Sequence, residues 1–105
     1  METLQFEFSG SRSAADNLPP KLVGVVASGN LEVLVERANL EGACRIDVRT
    51  PVTGFGEVWR AVLEDFHGRH PVGDVRVSIN DMGATPAVVA LRLDQALEEF
   101  LGERG

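Results

Sequence analysis

The run KLVGVVASGNLEVLVER, residues 21–37, decides how the chain is expected to fold. Its two outer parts are rich in valine and other aliphatic residues, as β-strands usually are. Between them stands Ser28-Gly29-Asn30, and the Gly-Asn pair accepts the positive φ angles of a two-residue hairpin turn. In this register Ser28 lies opposite Leu31. The run therefore predicts two antiparallel strands with Ser28 at the tip of their hairpin.

Hydrophobic periodicity predicts further strands and two helices outside this hairpin. Cys44, Ile46 and Val48 alternate with charged residues, which is typical of a strand with one buried face. Residues 56–67 change to the spacing of an amphipathic helix, and Gly68 is expected to cap its C-terminus. The predicted strands are residues 4–8, 21–27, 31–37, 44–50, 75–79 and 87–93, and the second predicted helix is residues 94–103.

This order of elements indicates an α+β fold. We expect a two-layer sandwich in which two helices cover a small, mostly antiparallel sheet of about six strands. Residues 9–20 are rich in Ser, Gly, Ala, Asn and Pro, so we expect a flexible surface loop there. A chain of 105 residues has the size of one small domain, and we expect a single domain over residues 1–105.

The composition excludes several classes of function. The 16 acidic and 10 basic residues give a formal net charge of -6, which disfavours binding to nucleic acid and to anionic membranes. No apolar run approaches the ~20 residues that span a bilayer, and residues 1–4 do not resemble a signal peptide. We therefore expect a cytoplasmic protein. A single cysteine, Cys44, allows neither an internal disulfide nor a zinc cluster.

No constellation of catalytic residues stands out. His67 and His70 lie at the end of the predicted helix among polar residues, so both are expected in solvent. Cys44 falls on the apolar face of its strand and Trp59 on the apolar stripe of the helix, which indicates core positions for both. Gly54-Phe55-Gly56 lacks the third glycine of a dinucleotide-binding motif. We predict no catalytic residue and no metal site, and a chain that carries or scaffolds something.

Two segments resemble the acyl carrier, or delta, subunit of malonate decarboxylase. They are GVVASGNLEVL, residues 24–34, and INDMGATP, residues 79–86. The two segments stand in the order and at the chain length of that family, and the resemblance covers most of the chain. Asn30 stands where an aspartate is usual in the family, and Ala87 where a glycine is usual.

The resemblance implies that Ser28 is joined, through a phosphodiester, to 2'-(5''-phosphoribosyl)-3'-dephospho-CoA, with Gly29 and Asn30 beside the attachment point. It implies a non-catalytic subunit that carries acetyl and malonyl thioesters while partner subunits decarboxylate malonate to acetate and CO2. The implied partners are the acyltransferase and decarboxylase subunits and the transferase that attaches the group. It implies a fold unlike the four-helix acyl carrier. Two alternatives stay open, a citrate lyase-type acyl carrier and an unmodified scaffold or interaction module.

The second segment contains the remaining candidate residues, Asp81, Gly83 and Thr85. We expect it to form a turn between the last two strands, with a positive φ at Gly83. Two roles are open for Asp81. It caps its own turn, or it orients the Ser28 loop or contacts the transferase or a partner subunit.

Overall fold

The computed structural model describes residues 1–24 and 30–102, which form a five-stranded sheet, a two-stranded sheet and two helices. The strand order of the main sheet is β1-β5-β7-β4-β3, and only the pair β5–β7 is parallel. The elements are β1 (Glu2–Ser9), β2 (Arg12–Ser13), β3 (Lys21–Val23), β4 (Leu31–Arg37), β5 (Ala43–Thr50), α1 (Gly56–Arg69), β6 (Val72–Gly73), β7 (Val75–Asp81) and α2 (Pro86–Leu101).

One face of the main sheet is buried under both helices. Phe6 pairs with Ile46, Ile46 with Val77, and Val77 with Val35, and all four side chains are buried in one core. Residues of α1 and α2 complete the same core. The opposite face carries ion pairs such as that between Arg45 and Glu7, 3.2 Å apart. The predicted α+β sandwich with a mostly antiparallel sheet is thus confirmed.

The predicted sixth strand, residues 87–93, is wrong, because these residues belong to α2. Thr85 is the N-cap, and its Oγ1 accepts a hydrogen bond from the Val88 amide at 3.3 Å. Pro86 takes the first helical position, where its missing N–H costs nothing. The residues buried by the helix recur at helical spacing: Val89, Leu93, Ala96, Leu97 and Phe100. Capping and a long apolar stripe therefore outweigh the β-propensity of the paired valines.

The first helix runs two residues further than predicted, because Gly68 lies inside α1, which ends at Arg69 with His70 as its C-cap. His67 lies on the buried face of this helix with Trp59, Leu63 and Phe66. Its Nε2 is 3.0 Å from the Val72 carbonyl oxygen. The prediction of a solvent-exposed His67 is therefore wrong. His70 is also partly shielded, and its Nε2 lies 3.1 Å from Asp94 Oδ1.

Two predicted core residues are confirmed. Cys44 is fully buried on β5, and burial raises the pKa of its thiol to about 12. Trp59 is buried on α1. A thiol that stays protonated at physiological pH is a poor nucleophile, so Cys44 serves packing.

The segment 9–20 contains structure that its composition did not predict. Within it, β2 pairs in parallel with β6, and Ala14 is buried in the core. These contacts fix its middle part to the rest of the fold. Its flexibility stays a prediction.

The hairpin register inferred around Ser28 is wrong where the structure describes it. A two-residue turn with Ser28 opposite Leu31 needs Lys21 opposite residue 38, whereas Lys21 pairs with Val35. The observed register packs Val23 against the core beside Val33, and a shift by three residues would turn it to the outer face. The tip itself, with Ser28 and Gly29, lies outside the described residues.

Candidate functional site at the Asp81 end of the sheet

The chain re-enters the described structure at Asn30, directly beside the end of β7. Leu31 pairs with Asp81, and the Met82 amide donates to the Asn30 carbonyl oxygen at 2.8 Å. The Asn30 Oδ1 accepts from the Leu31 amide at 2.8 Å. Because two peptide units join Ser28 to Asn30, their Cα atoms lie no more than about 7.6 Å apart. The second candidate segment is therefore the neighbour of the first.

Asp81 is buried and has two hydrogen-bond donors among the described residues. Its Oδ1 accepts from the Ala84 amide at 2.9 Å, and its Oδ2 accepts from the Thr50 hydroxyl at 2.8 Å. The bond to Ala84 is the cap within its own turn, and the bond to Thr50 ties that turn to the end of β5. Gly83 has a φ of 93°, as predicted. The turn leads into α2, however, and does not join two strands.

Sequence reasoning assigned no role to Arg92, which contacts both ends of the segment that contains Ser28. Its Nη1 donates to the Leu31 carbonyl oxygen at 3.0 Å. On the other side, Gly24 has a φ of 101°, and a Cβ there would overlap both Arg92 Nη1 and the Leu31 oxygen. The sequence signal for this contact is the arginine within the otherwise apolar run 87–93. Because that run is predicted to be a strand, the sequence does not indicate which group Arg92 contacts.

An apolar cleft of about 370 Å³ opens beside Asp81. Its walls are the turn after β7, the chain that follows β5, and the first half of α1. Phe55 and Val58 lie at its mouth and are 49% and 43% exposed, which is unusual for large apolar side chains unless they have a partner. Trp59 lines it too. Apart from Asp81 and Thr50, the side chains that line the cleft are apolar: Val52, Phe55, Val58, Trp59, Val62, Ala84, Pro86 and Val89.

Comparison with known proteins shows the family of the chain. A model of the family described as malonate decarboxylase delta subunit (MdcD) matches residues 19–100. A protein named malonate decarboxylase acyl carrier protein, from Xanthomonas axonopodis pv. citri, is 64% identical over 102 residues, 97% of each chain. One of that name from Burkholderia cepacia is 61% identical over 99 residues, 94% of this chain and 90% of that protein. The chain belongs to the malonate decarboxylase delta subunit family.

A solved structure supports the same conclusion for the fold. One chain in the crystal structure of a Pseudomonas malonate decarboxylase hetero-tetramer in complex with malonate is 40% identical to this chain. The two superpose with a TM-score of 0.84 over 95% of this chain and 99% of that one. The resemblance stated from residues 24–34 and 79–86 is thereby confirmed at the level of the family.

The opposite end of β7 carries a second buried carboxylate that sequence reasoning missed. Asp74 has a φ of 57°, and its oxygens accept from Ser13 Oγ at 2.5 Å and from the amides of Leu40 and Gly42 at 3.0 and 2.9 Å. The bond from Ser13, followed by the two amide bonds, lowers the pKa of Asp74 to about 2. These donors are 32 to 61 residues away in sequence, so no local sequence motif predicts their bonds to Asp74.

Residues 1–24 and 30–102 contain no group of three or more His, Cys, Asp or Glu residues that could hold a metal ion. Within the same ranges, no helix is long and apolar enough to cross a membrane.

Proposed function

We propose that this chain is the acyl carrier subunit of malonate decarboxylase, with 2'-(5''-phosphoribosyl)-3'-dephospho-CoA attached to Ser28. The observation that carries the proposal is the meeting of residues 24–34 with residues 79–86 at the bond between Asn30 and Met82. Two segments far apart in sequence thus frame one end of a sheet. The relatives named acyl carrier protein match over nearly the whole chain, which supports the same assignment.

The residues at this end fit such a group. Arg92 places a guanidinium against both ends of the segment that contains Ser28, and a guanidinium suits a phosphodiester. The apolar cleft next to Asp81 offers room for the less polar part of a long arm. When bound, the group supplies a thiol, and a thioester carbonyl accepts the charge left by loss of CO2 better than a carboxylate does.

The chain itself acts by positioning. Asn30 is fixed by the amides of Met82 and Leu31, so the chain two residues after Ser28 is tied to the end of the sheet. An arm held at one point raises the local concentration of its acyl group at each partner active site. The decarboxylation belongs to partner subunits, and the partners are the acyltransferase and decarboxylase subunits together with the transferase that attaches the group. We place this work in the cytoplasm.

The test is the mass of the carrier after co-expression with the transferase of its family. The matched control for Ser28→Ala is Ser11→Ala, which removes an exposed hydroxyl from the connection between β1 and β2. We expect wild type and Ser11→Ala to gain the mass of the prosthetic group and Ser28→Ala to gain none. An equal gain in all three proteins would refute the assignment of Ser28. No gain in any of them would favour the unmodified scaffold.

A citrate lyase-type carrier is the remaining alternative, and acyl specificity separates the two. The modified carrier, mixed with malonate decarboxylase partner subunits, should release CO2 from malonate. Turnover with citrate lyase subunits in place of these partners would point to the alternative.

A further inference from the structure

We propose that the cleft beside Asp81 binds the uncharged acetyl-thioester end of the arm and excludes the malonyl end. The proposal rests on the proposed function, because it takes the arm to be attached at Ser28. It adds a ligand site on the carrier itself, made of described residues of α1 and of the turn after β7. It also adds a selectivity between the two acyl states.

The cleft lies within reach of the attachment point. Asp81 and Gly83 form part of its wall, and Met82 between them is hydrogen-bonded to Asn30. The Cα of Ser28 is within about 7.6 Å of that of Asn30. The proposed arm carries its phosphoribosyl and adenosine diphosphate parts ahead of the pantetheine chain, so it is much longer than two peptide units and its thiol end can fold back to the cleft mouth.

The size and lining of the cleft suit a small apolar group. Its volume of about 370 Å³ falls at the lower end of the range of ligand pockets, ~300–1,000 Å³. Val58, Val62 and Trp59 offer apolar contacts on the α1 side. On the polar side, the Thr50 hydroxyl donates to Asp81 at 2.8 Å, so these two groups already satisfy each other. An acetyl thioester, which carries no charge and no hydrogen-bond donor, leaves that pair undisturbed.

A malonyl thioester meets the opposite conditions. Its free carboxylate would enter a cleft in which none of the lining residues is basic. The one ionisable lining side chain, Asp81, is an acid. Burying a charge without a partner is costly, and a like charge nearby adds to that cost. The malonyl end should therefore stay in solvent, where a partner subunit can take it.

The affinity that this requires is small. A group tethered by a flexible arm experiences an effective concentration on the order of millimolar. A dissociation constant in that range is enough to hold the acetyl end in the cleft for much of the time. The acetyl thioester would thus be shielded from water while the carrier waits for malonate.

The first arm of the experiment uses the carrier with its prosthetic group, confirmed by mass and loaded with labelled acetyl or malonyl. Trp59 is the one tryptophan of the chain, so its ring signals in NMR spectra are unambiguous. We expect NOEs from the acetyl methyl group to the Trp59 ring and to the methyl groups of Val58. The malonyl methylene should show none. Leu91, which is 70% exposed on α2 and does not line the cleft, is the internal control.

A second arm keeps the proposal separate from the modification of Ser28. Free acetyl-pantetheine or malonyl-pantetheine is added at millimolar concentration to the unmodified protein. The acetyl compound should shift the signals of Val58, Val62 and Trp59, and the malonyl compound should not. This result does not depend on whether Ser28 carries anything, so a failure here is distinct from a failure of the proposed function.

A charge variant sharpens the selectivity. Val58→Lys puts a cation at the cleft mouth, and Leu91→Lys puts the same charge on an exposed helix position away from it. We expect Val58→Lys, and not Leu91→Lys, to bind malonyl-pantetheine. Equal responses to acetyl and malonyl in wild type, or no response to either, would overturn the proposal. Shifts at the cleft only when a partner subunit is added would assign it to subunit docking instead.

Discussion

The two ends of β7 carry the same residue type in opposite surroundings. Asp74, just before the strand, and Asp81, its last residue, are both buried and hydrogen-bonded. Around Asp74 three chain segments pack tightly against one another. A Cβ on Gly10 would overlap Gly73, and a Cβ on Gly73 would overlap the Gly42 carbonyl. Around Asp81 there is instead an apolar cleft with exposed side chains at its mouth. In this fold, a buried carboxylate therefore indicates a candidate binding site only where a cleft lies beside it.

The largest effect is expected at the closed end, from Gly73→Ala. The new Cβ would meet the Gly42 carbonyl, which is backbone and cannot rotate away. We expect the free energy of unfolding in urea to fall by about 3 kcal/mol, the upper end of the usual cost of overpacking. Gly68→Ala is the control, because nothing lies near its Cβ and alanine favours a helix. A Gly73→Ala protein as stable as Gly68→Ala would mean that this end is not tightly packed.

The next effect is a pH dependence that belongs to the Asp74 end. Since the fold lowers the pKa of Asp74 to about 2, below its ordinary 3.8, the stabilisation is present above about pH 4. It is lost as the pH falls toward 2. We expect Asp74→Asn to lower the melting temperature by several degrees at pH 6, with a difference from wild type that shrinks below pH 4. Ser13→Ala removes the strongest donor and should move this loss to higher pH. A difference that is constant from pH 6 to pH 2 would contradict the account.

A smaller effect is expected at the open end from Gly24→Ala. A Cβ there meets the Leu31 carbonyl and Arg92, in a backbone with positive φ. We expect a loss of about 2 kcal/mol in unfolding free energy, together with slower attachment of the prosthetic group at Ser28. Gly54→Ala has a similar φ, 88°, and open space around it, so it should lose only roughly 1 kcal/mol. Equal attachment rates in the two variants would show that attachment does not depend on the contacts of Gly24 with Leu31 and Arg92.

The smallest effect concerns Asp81. Asp81→Asn keeps one acceptor oxygen but weakens the bonds to Ala84 and Thr50, so we expect a loss of about 1 kcal/mol in unfolding free energy. Both bonds are structural, so the folded variant should accept the prosthetic group at the wild-type rate. Near-normal stability with slow attachment or slow acyl transfer would instead place Asp81 in contact with the transferase or a partner.

The parts of the fold that follow a local period could be predicted. Cys44, Ile46 and Val48 alternate with charges on β5, and all three are buried as expected. The run from Val88 to Leu93 has both β-propensity and helical spacing, so composition alone could not decide it. The deciding signal is Thr85-Pro86, an N-cap followed by proline at the first helical position, although the same pair also fits the predicted turn between two strands.

The sequence predicts only those parts of the site that depend on residues close together in the chain. The segment around Asp81, including the positive φ at Gly83, follows from local turn chemistry. The role of Arg92 depends on the pairing of Leu31 with Asp81 and on the turn of α2 that faces it, and both are tertiary. The same holds for the cleft, whose walls come from α1 and from the chain before and after it.

The central claim is that the Asp81 end of the sheet carries the working arm and the Asp74 end only stabilises the fold. The most direct measurement is the intact mass of the protein purified from its native host during growth on malonate, followed by mass mapping of its peptides. The account predicts one added group of the mass of the phosphoribosyl-dephospho-CoA adduct, on the peptide that contains Ser28. A protein of unmodified mass, or an added group on a different peptide, would contradict it.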